Sequence, residues 1–148
     1  MSVDVDSNLA SEAARLGCAA LVDAMGRIHG HRAHLLPMVS PNPTVSLFGP
    51  AATIAYMPYR DDLTADAGFG ALFDRAIDSP FAGAPVLVLS NGGYPDLSHG
   101  GGVKLSRVAL RHLAGVLADG RLRDSADYGG TGLPRGVAAR RSIGVETR

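Results

Sequence analysis

Apolar residues recur along this chain at two spacings, and the change between the spacings marks out its elements. Ser7 or Asn8 can cap a first helix, and Leu21, Ala24, Met25 and Ile28 fall at helical intervals, giving a second helical segment its apolar stripe. From His29 to Pro43 the pattern lapses into a loop with three histidines and three prolines. A strand is expected around Leu47 to Tyr56, interrupted by Gly49-Pro50. Leu72, Phe73, Ala76 and Ile77 return to helical spacing, and that helix stops at Ser79-Pro80.

The most informative unit follows. Pro85-Val-Leu-Val-Leu89 is a continuous apolar run, the signature of a strand buried on both faces. It runs into a glycine-rich loop from Asn91 to Gly102. A helix then places Leu105, Val108, Ala109 and Leu113 toward the core. Ala114 to Ala118 is the next strand, and it ends in Asp119-Gly-Arg-Leu-Arg-Asp124. Strand, loop, helix, strand is a crossover, which predicts parallel pairing in an α/β or mixed sheet.

Composition narrows the class. A chain of 148 residues, 46% hydrophobic and 19% charged, suits one domain with an apolar core. Lysine plus arginine and aspartate plus glutamate balance at 14 each, so no strong field draws the chain to nucleic acid or a membrane surface. No apolar run approaches the roughly 20 residues needed to span a bilayer. Met1 to Ser7 has two aspartates and no basic residue, unlike a secretion signal. The single cysteine, Cys18, excludes an internal disulfide and suits a reducing cytoplasm; it is expected to pack as a small helix residue against the core. Residues 1–134 read as the domain. Arg135 to Arg148, rich in arginine and poor in large apolar residues, read as a solvated tail or an incomplete terminal strand.

Candidate chemistry converges on the crossover. A loop entering a helix N-terminus presents unpaired N–H groups where the helix dipole favours an anion. Gly100, Gly101 and Gly102 leave the backbone open to close approach. The next strand delivers Arg123 and Asp124 at its carboxyl end, where ligands of open α/β sheets bind. Arginine grips a carboxylate with two parallel hydrogen bonds, and aspartate is a hard oxygen ligand suited to Mg²⁺ or Mn²⁺. Together they describe a site for a 2-oxo acid whose keto and carboxylate oxygens chelate a divalent cation. A turn with a surface ion pair and a plain glycine turn account for the same residues. The stretch from Gly100 to Ser106 is neither a phosphate loop nor a dinucleotide fingerprint: no Gly-Lys precedes Ser or Thr directly, and the glycine spacing breaks at Leu105. His29, His31 and His34 could suggest zinc, with a polar loop as the plainer reading. His99 could reach a ligand or be a simple loop histidine. Lys104 could offer charge to an anion or stand exposed in a first helical turn, and Asp23 belongs on the polar side of its helix.

Four ordered blocks carry a family resemblance: Ala19 to Arg27, Leu47 to Ile54, Val86 to Leu89 with its glycine loop, and Ala114 to Asp124. A glycine, about twenty residues, Arg-Asp, two residues and then an acid completes the signature, met by Gly102, Arg123, Asp124 and Asp127. The chain resembles the RraA-like family over roughly Leu9 to Pro134. That family contains 4-hydroxy-4-methyl-2-oxoglutarate aldolases, oxaloacetate decarboxylases and the regulator of RNase E activity. The resemblance implies an α/β fold, a swivelling β/β/α domain with a mixed sheet, assembled as a homotrimer or hexamer with sites between subunits. It implies substrate contacts from Gly101, Gly102, Val103 and Lys104. Arg123 takes the substrate carboxylate and developing enolate, Asp124 takes the metal, and Asp127 supports Arg123 or water on the metal. Members often carry an acid where Gly102 stands, and they run on through further strands after Arg-Asp, so the sheet is expected to lack its last strands. A metal-dependent lyase releasing pyruvate is the leading expectation. A non-catalytic protein-binding regulator and an inactive truncated paralogue are the alternatives.

Overall fold

A computed structural model describes residues 7–30, 34–35, 37–63, 67–124 and 136–140. Helix α1 (Ser7–Ile28) is two helical segments meeting at Gly17, whose φ of 75° breaks the helix between them. The two segments anticipated from the pattern are therefore present. The stripe on the second is not buried within the chain: Met25 and Ile28 are exposed, as are Leu9 and Leu16 on the first segment. Cys18 is exposed as well, which corrects its expected place against the core. The cause is shared: among the described side chains of α1 only Ala13 is buried, and none belongs to the main buried cluster.

Five strands make the main sheet, in the order β1 (Met38–Val39), β7 (Val137–Arg140), β5 (Gly115–Asp119), β3 (Val86–Ser90), β2 (Ala51–Ala55). β2, β3, β5 and β7 run parallel, and β1 is antiparallel to β7, so the sheet is mixed. The crossover predicted from Pro85 onward is realised: β3 leads through a loop and α3 (Gly102–Leu110) to β5, its parallel neighbour. Helix α2 (Phe69–Ile77) makes the equivalent connection from β2 to β3. Both helices pack on one face, where Phe73, Leu105 and Val108 join Ile54, Leu87, Leu89, Val116, Ala118, Val137 and Ala139 in a single buried cluster. Leu105 and Val108 are three apart and share the inner side of α3. Ala109 is only partly buried, and Leu113 lies beyond the helix end, packed at the margin of the cluster.

Residues 137–140 belong to the stretch that the sequence leaves between tail and terminal strand. They form β7, which occupies an inner lane of the sheet between β5 and β1. The pairing explains the arginine at its end: Arg140 donates through Nε to Asp119 Oδ1 at 2.6 Å, so a charged side chain is tolerated beside the core. A second, two-stranded parallel sheet, β4 (Ser98–Gly100) with β6 (Arg121–Leu122), stands past the carboxyl ends of β3 and β5. Among the described residues no helix is long and apolar enough to cross a membrane.

Candidate functional site

The loop after β3 is shaped by Asn91, which is fully buried. Its Oδ1 accepts from the Gly93 N–H at 3.2 Å and its Nδ2 donates to the Tyr94 carbonyl, so one side chain closes the turn that leads toward β4. β4 then pairs with β6. The Arg121 N–H donates to the Leu97 carbonyl and the Arg123 N–H to the Gly100 carbonyl, each at 2.9 Å. This short ribbon brings the ends of its two strands side by side, with Gly101-Gly102 emerging from one and Arg123-Asp124 from the other.

Asp124 meets the start of α3 directly. The Gly102 N–H donates to Asp124 Oδ2 at 2.9 Å. The carboxylate thus satisfies one of the donors a helix leaves unpaired at its N-terminus, where the dipole favours negative charge. The anion cradle expected at this helix end is met by a carboxylate of the chain itself. Gly101 makes the approach possible: a Cβ built there would fall 2.1 Å from Asp124 Oδ2. Asp124 has a φ of 61°, a left-handed conformation that aspartate tolerates better than most residues.

Lys104 lies elsewhere. Its Nζ donates to the His99 carbonyl at 3.3 Å and sits 5.2 Å from the centre of the Phe69 ring. Its aliphatic chain fills the space beside Gly100, whereas Asp124 and Arg123 fill the space beside Gly101. Successive positions of an extended chain point to opposite sides, so the Lys104 ammonium is not gathered onto the Asp124 side. Val103 is almost wholly exposed at 91% and forms the outer rim of the loop. The site residues named from the sequence are therefore brought together in part: Gly101, Gly102, Arg123 and Asp124 converge, Val103 borders them and Lys104 turns away. Asp127 lies outside the described residues, as does His31; no group of three histidine, cysteine, aspartate or glutamate side chains suited to a metal occurs among the described residues.

A single exposed carboxylate, with one oxygen on an N–H, fits a hard ion such as Mg²⁺ that keeps several waters and takes one or two protein carboxylates. It does not fit the closed nitrogen and sulfur cage of structural zinc.

Sequence reasoning left His99 among loop residues, but it is 4% exposed. Its ring lies 5.0 Å from that of Tyr56, and both His99 Nε2 and Tyr56 Oη are buried without a hydrogen-bond partner among the described residues. Burial holds the imidazole pKa below its ordinary value, Asp119 pulling it upward and Lys104 adding to the depression. Burial alone raises the Tyr56 hydroxyl. No hydrophobic alternation in Ser98-His99-Gly100 signals this burial, which comes from the pairing with β6 and from Tyr56 and Gly120 beside the ring.

A mixed α/β sheet with its helices on one face, and a glycine loop joined to an Arg-Asp turn past the carboxyl ends of its strands, places the chain among α/β proteins. The RraA-like family model, described as Aldolase/RraA, matches residues 18–147, and the chain belongs to that family. No curated protein and no solved structure gives a match. The family includes aldolases and decarboxylases as well as regulators of RNase E.

Proposed function

We propose that this chain is a divalent-metal-dependent lyase of short 2-oxo diacids that releases pyruvate, by retro-aldol cleavage of 4-hydroxy-4-methyl-2-oxoglutarate or decarboxylation of oxaloacetate. The contact between Asp124 and the Gly102 N–H carries the reading, because it fixes a hard carboxylate at the mouth of the glycine loop beside an arginine. Asp124 holds the cation, Mg²⁺ or Mn²⁺. When bound, that cation supplies Lewis acidity to the 2-oxo group. Arg123 binds the substrate carboxylate with paired N–H donors and steadies the negative charge that grows on the keto oxygen. In both substrates the bond that breaks leaves its electron pair on the carbon next to the keto group: oxaloacetate releases its far carboxylate as CO2, and the aldol substrate, its 4-hydroxyl proton passing to water, releases the far fragment as a second pyruvate; the pair delocalises as an enolate, and protonation at carbon gives pyruvate. Gly101 and Gly102 border the substrate by admitting the Asp124 carboxylate against their backbone, Val103 forms the exposed rim, and Lys104 lends positive charge from behind the loop. Asp127 is assigned, on the family resemblance, to holding Arg123 or water on the metal.

The working form in this reading is a homotrimer or hexamer. Its support is the row of exposed apolar residues on α1, among them Leu9, Leu16 and Ile28, which water disfavours unless another surface covers them. A non-catalytic protein-binding regulator is the second reading, favoured by Val103 and Leu110, two large apolar side chains exposed at the two ends of α3.

The test is pyruvate release from both substrates with Mg²⁺ and then with EDTA, after subtraction of the uncatalysed rate. EDTA-sensitive turnover that Arg123→Ala and Asp124→Ala both lose is the expected result. No turnover from a folded oligomer would move the assignment to the regulator.

A further inference from the structure

The β4–β6 ribbon carries both halves of the candidate site, yet pairing alone specifies its register weakly, because β6 is only two residues long. The register is also irregular. Ser98 stands opposite Arg121 and Gly100 opposite Leu122, so three residues on one strand face two on the other. His99 is the extra residue. Bulges of this kind re-aim a side chain, and they gather beside functional sites.

The His99 imidazole turns inward and meets Gly120, the residue between β5 and β6. A Cβ built on Gly120 would lie 2.6 Å from Nε2 and 2.7 Å from Cδ2 of the ring. The imidazole therefore plugs the notch through which the chain passes from the main sheet into the ribbon. Leaving Nε2 buried without a partner among the described residues is costly, and such groups call for a reason beyond filling space. The backbone of the same residue adds a second tie, since its carbonyl accepts from Lys104 in the first turn of α3.

We propose that His99 is a positioning residue: its bulge, plugged against Gly120, pins the β4–β6 register and so holds the Gly102 N–H on the Asp124 carboxylate. A slip of one residue would turn Asp124 to the opposite side of the ribbon and strip the helix end of its anion. The inference deepens the lyase reading by naming what sets its site geometry. Its main test needs no turnover.

That test is amide hydrogen exchange on the full chain, read residue by residue by NMR. In His99→Ala the Gly102 and Arg123 amides should exchange at least about tenfold faster, with Leu87 and Val116 in the sheet unchanged. His99→Gln, which keeps a polar side chain in the notch, should restore much of the protection. Gly120→Ala, which pushes the ring out from the other side, should reproduce the loss and decides the matter if His99→Ala does not fold. Wild-type protection at Gly102 and Arg123 in either folded variant overturns the proposal, and so does an equal loss at Leu87 and Val116. A parallel Mg²⁺ titration separates the two ideas: ribbon amides that loosen as expected, in a protein whose wild type binds no Mg²⁺, would retain the register pin and sink the metal-dependent lyase.

Discussion

Replacing Asp124 with asparagine, glycine and alanine separates what this residue does for the fold from what it does for a ligand. Two local effects oppose each other there. The side chain caps α3 by accepting from the Gly102 N–H at 2.9 Å, and loss of such an acceptor costs about 1 kcal/mol. The backbone is left-handed, with φ at 61°, which costs a residue with an ordinary Cβ roughly 1 kcal/mol or more. Asparagine keeps an acceptor and tolerates the left-handed region, so its stability should match wild type within about 0.5 kcal/mol. Glycine loses the cap but sheds the strain, and the two effects roughly cancel. Alanine loses the cap and retains the strain, for a deficit of about 1–2 kcal/mol. At roughly 3 °C per kcal/mol for a chain of this size, alanine should melt about 3–6 °C below the other three proteins. All three variants should lose EDTA-sensitive pyruvate release. Thermal melting with parallel turnover assays reads both quantities. Alanine and glycine melting together would refute the strain argument, and asparagine with wild-type turnover would refute the carboxylate as the metal ligand.

Three further outcomes are expected. Gly101→Ala places a methyl where Asp124 Oδ2 now lies, so Mg²⁺ affinity measured by calorimetry should fall by about 10- to 100-fold; an unchanged affinity would show that the contact is dispensable. The His99 imidazole is held below the ordinary value of 6.5 in the folded chain, so the unfolded chain takes up its proton first as pH falls. Stability from this group is complete above about 6.5 and declines on acidification; the wild-type melting temperature should drop more steeply below that pH than that of His99→Gln, and parallel curves would remove His99 as the cause. Leu105→Ala empties a site that is 1% exposed in the shared cluster, and urea unfolding should show a loss of about 2–5 kcal/mol; a loss under 1 kcal/mol would mean that α3 packs on the sheet less closely than described.

The parts legible in the sequence are those whose cause is local. Val86 to Leu89 read as a buried strand because every residue is apolar, and Leu105 with Val108 read as a helix face because their spacing is helical. The meeting of Gly101-Gly102 with Arg123-Asp124 was also approachable, since a crossover returns its second strand beside its first. What was hidden is tertiary. Ser98 to Gly100 has no alternation and becomes a strand only through Arg121 and Leu122. Val137 to Arg140, four residues bordered by arginines, reads as a tail until β5 lines one side of it and Asp119 receives Arg140. The stripe of Met25 and Ile28 predicted a helix and left its exposure open, because periodicity reveals an apolar face without revealing what covers it. The turn of Lys104 toward Phe69 depends on a contact between two helices that no single stretch of sequence contains.

The lane taken by β7 also sets an order in time. β1 finds its described sheet partner in β7, with Met38 opposite Arg140 and about a hundred residues of chain between them. Contacts so distant in sequence form late, after the local crossover from β3 to β5 has had its chance to close. During synthesis, β1 emerges long before the strand that will receive it. Its pairing forms only when residues 137–140 arrive, so this edge is the natural place for the nascent protein to wait and for a slow step to reside.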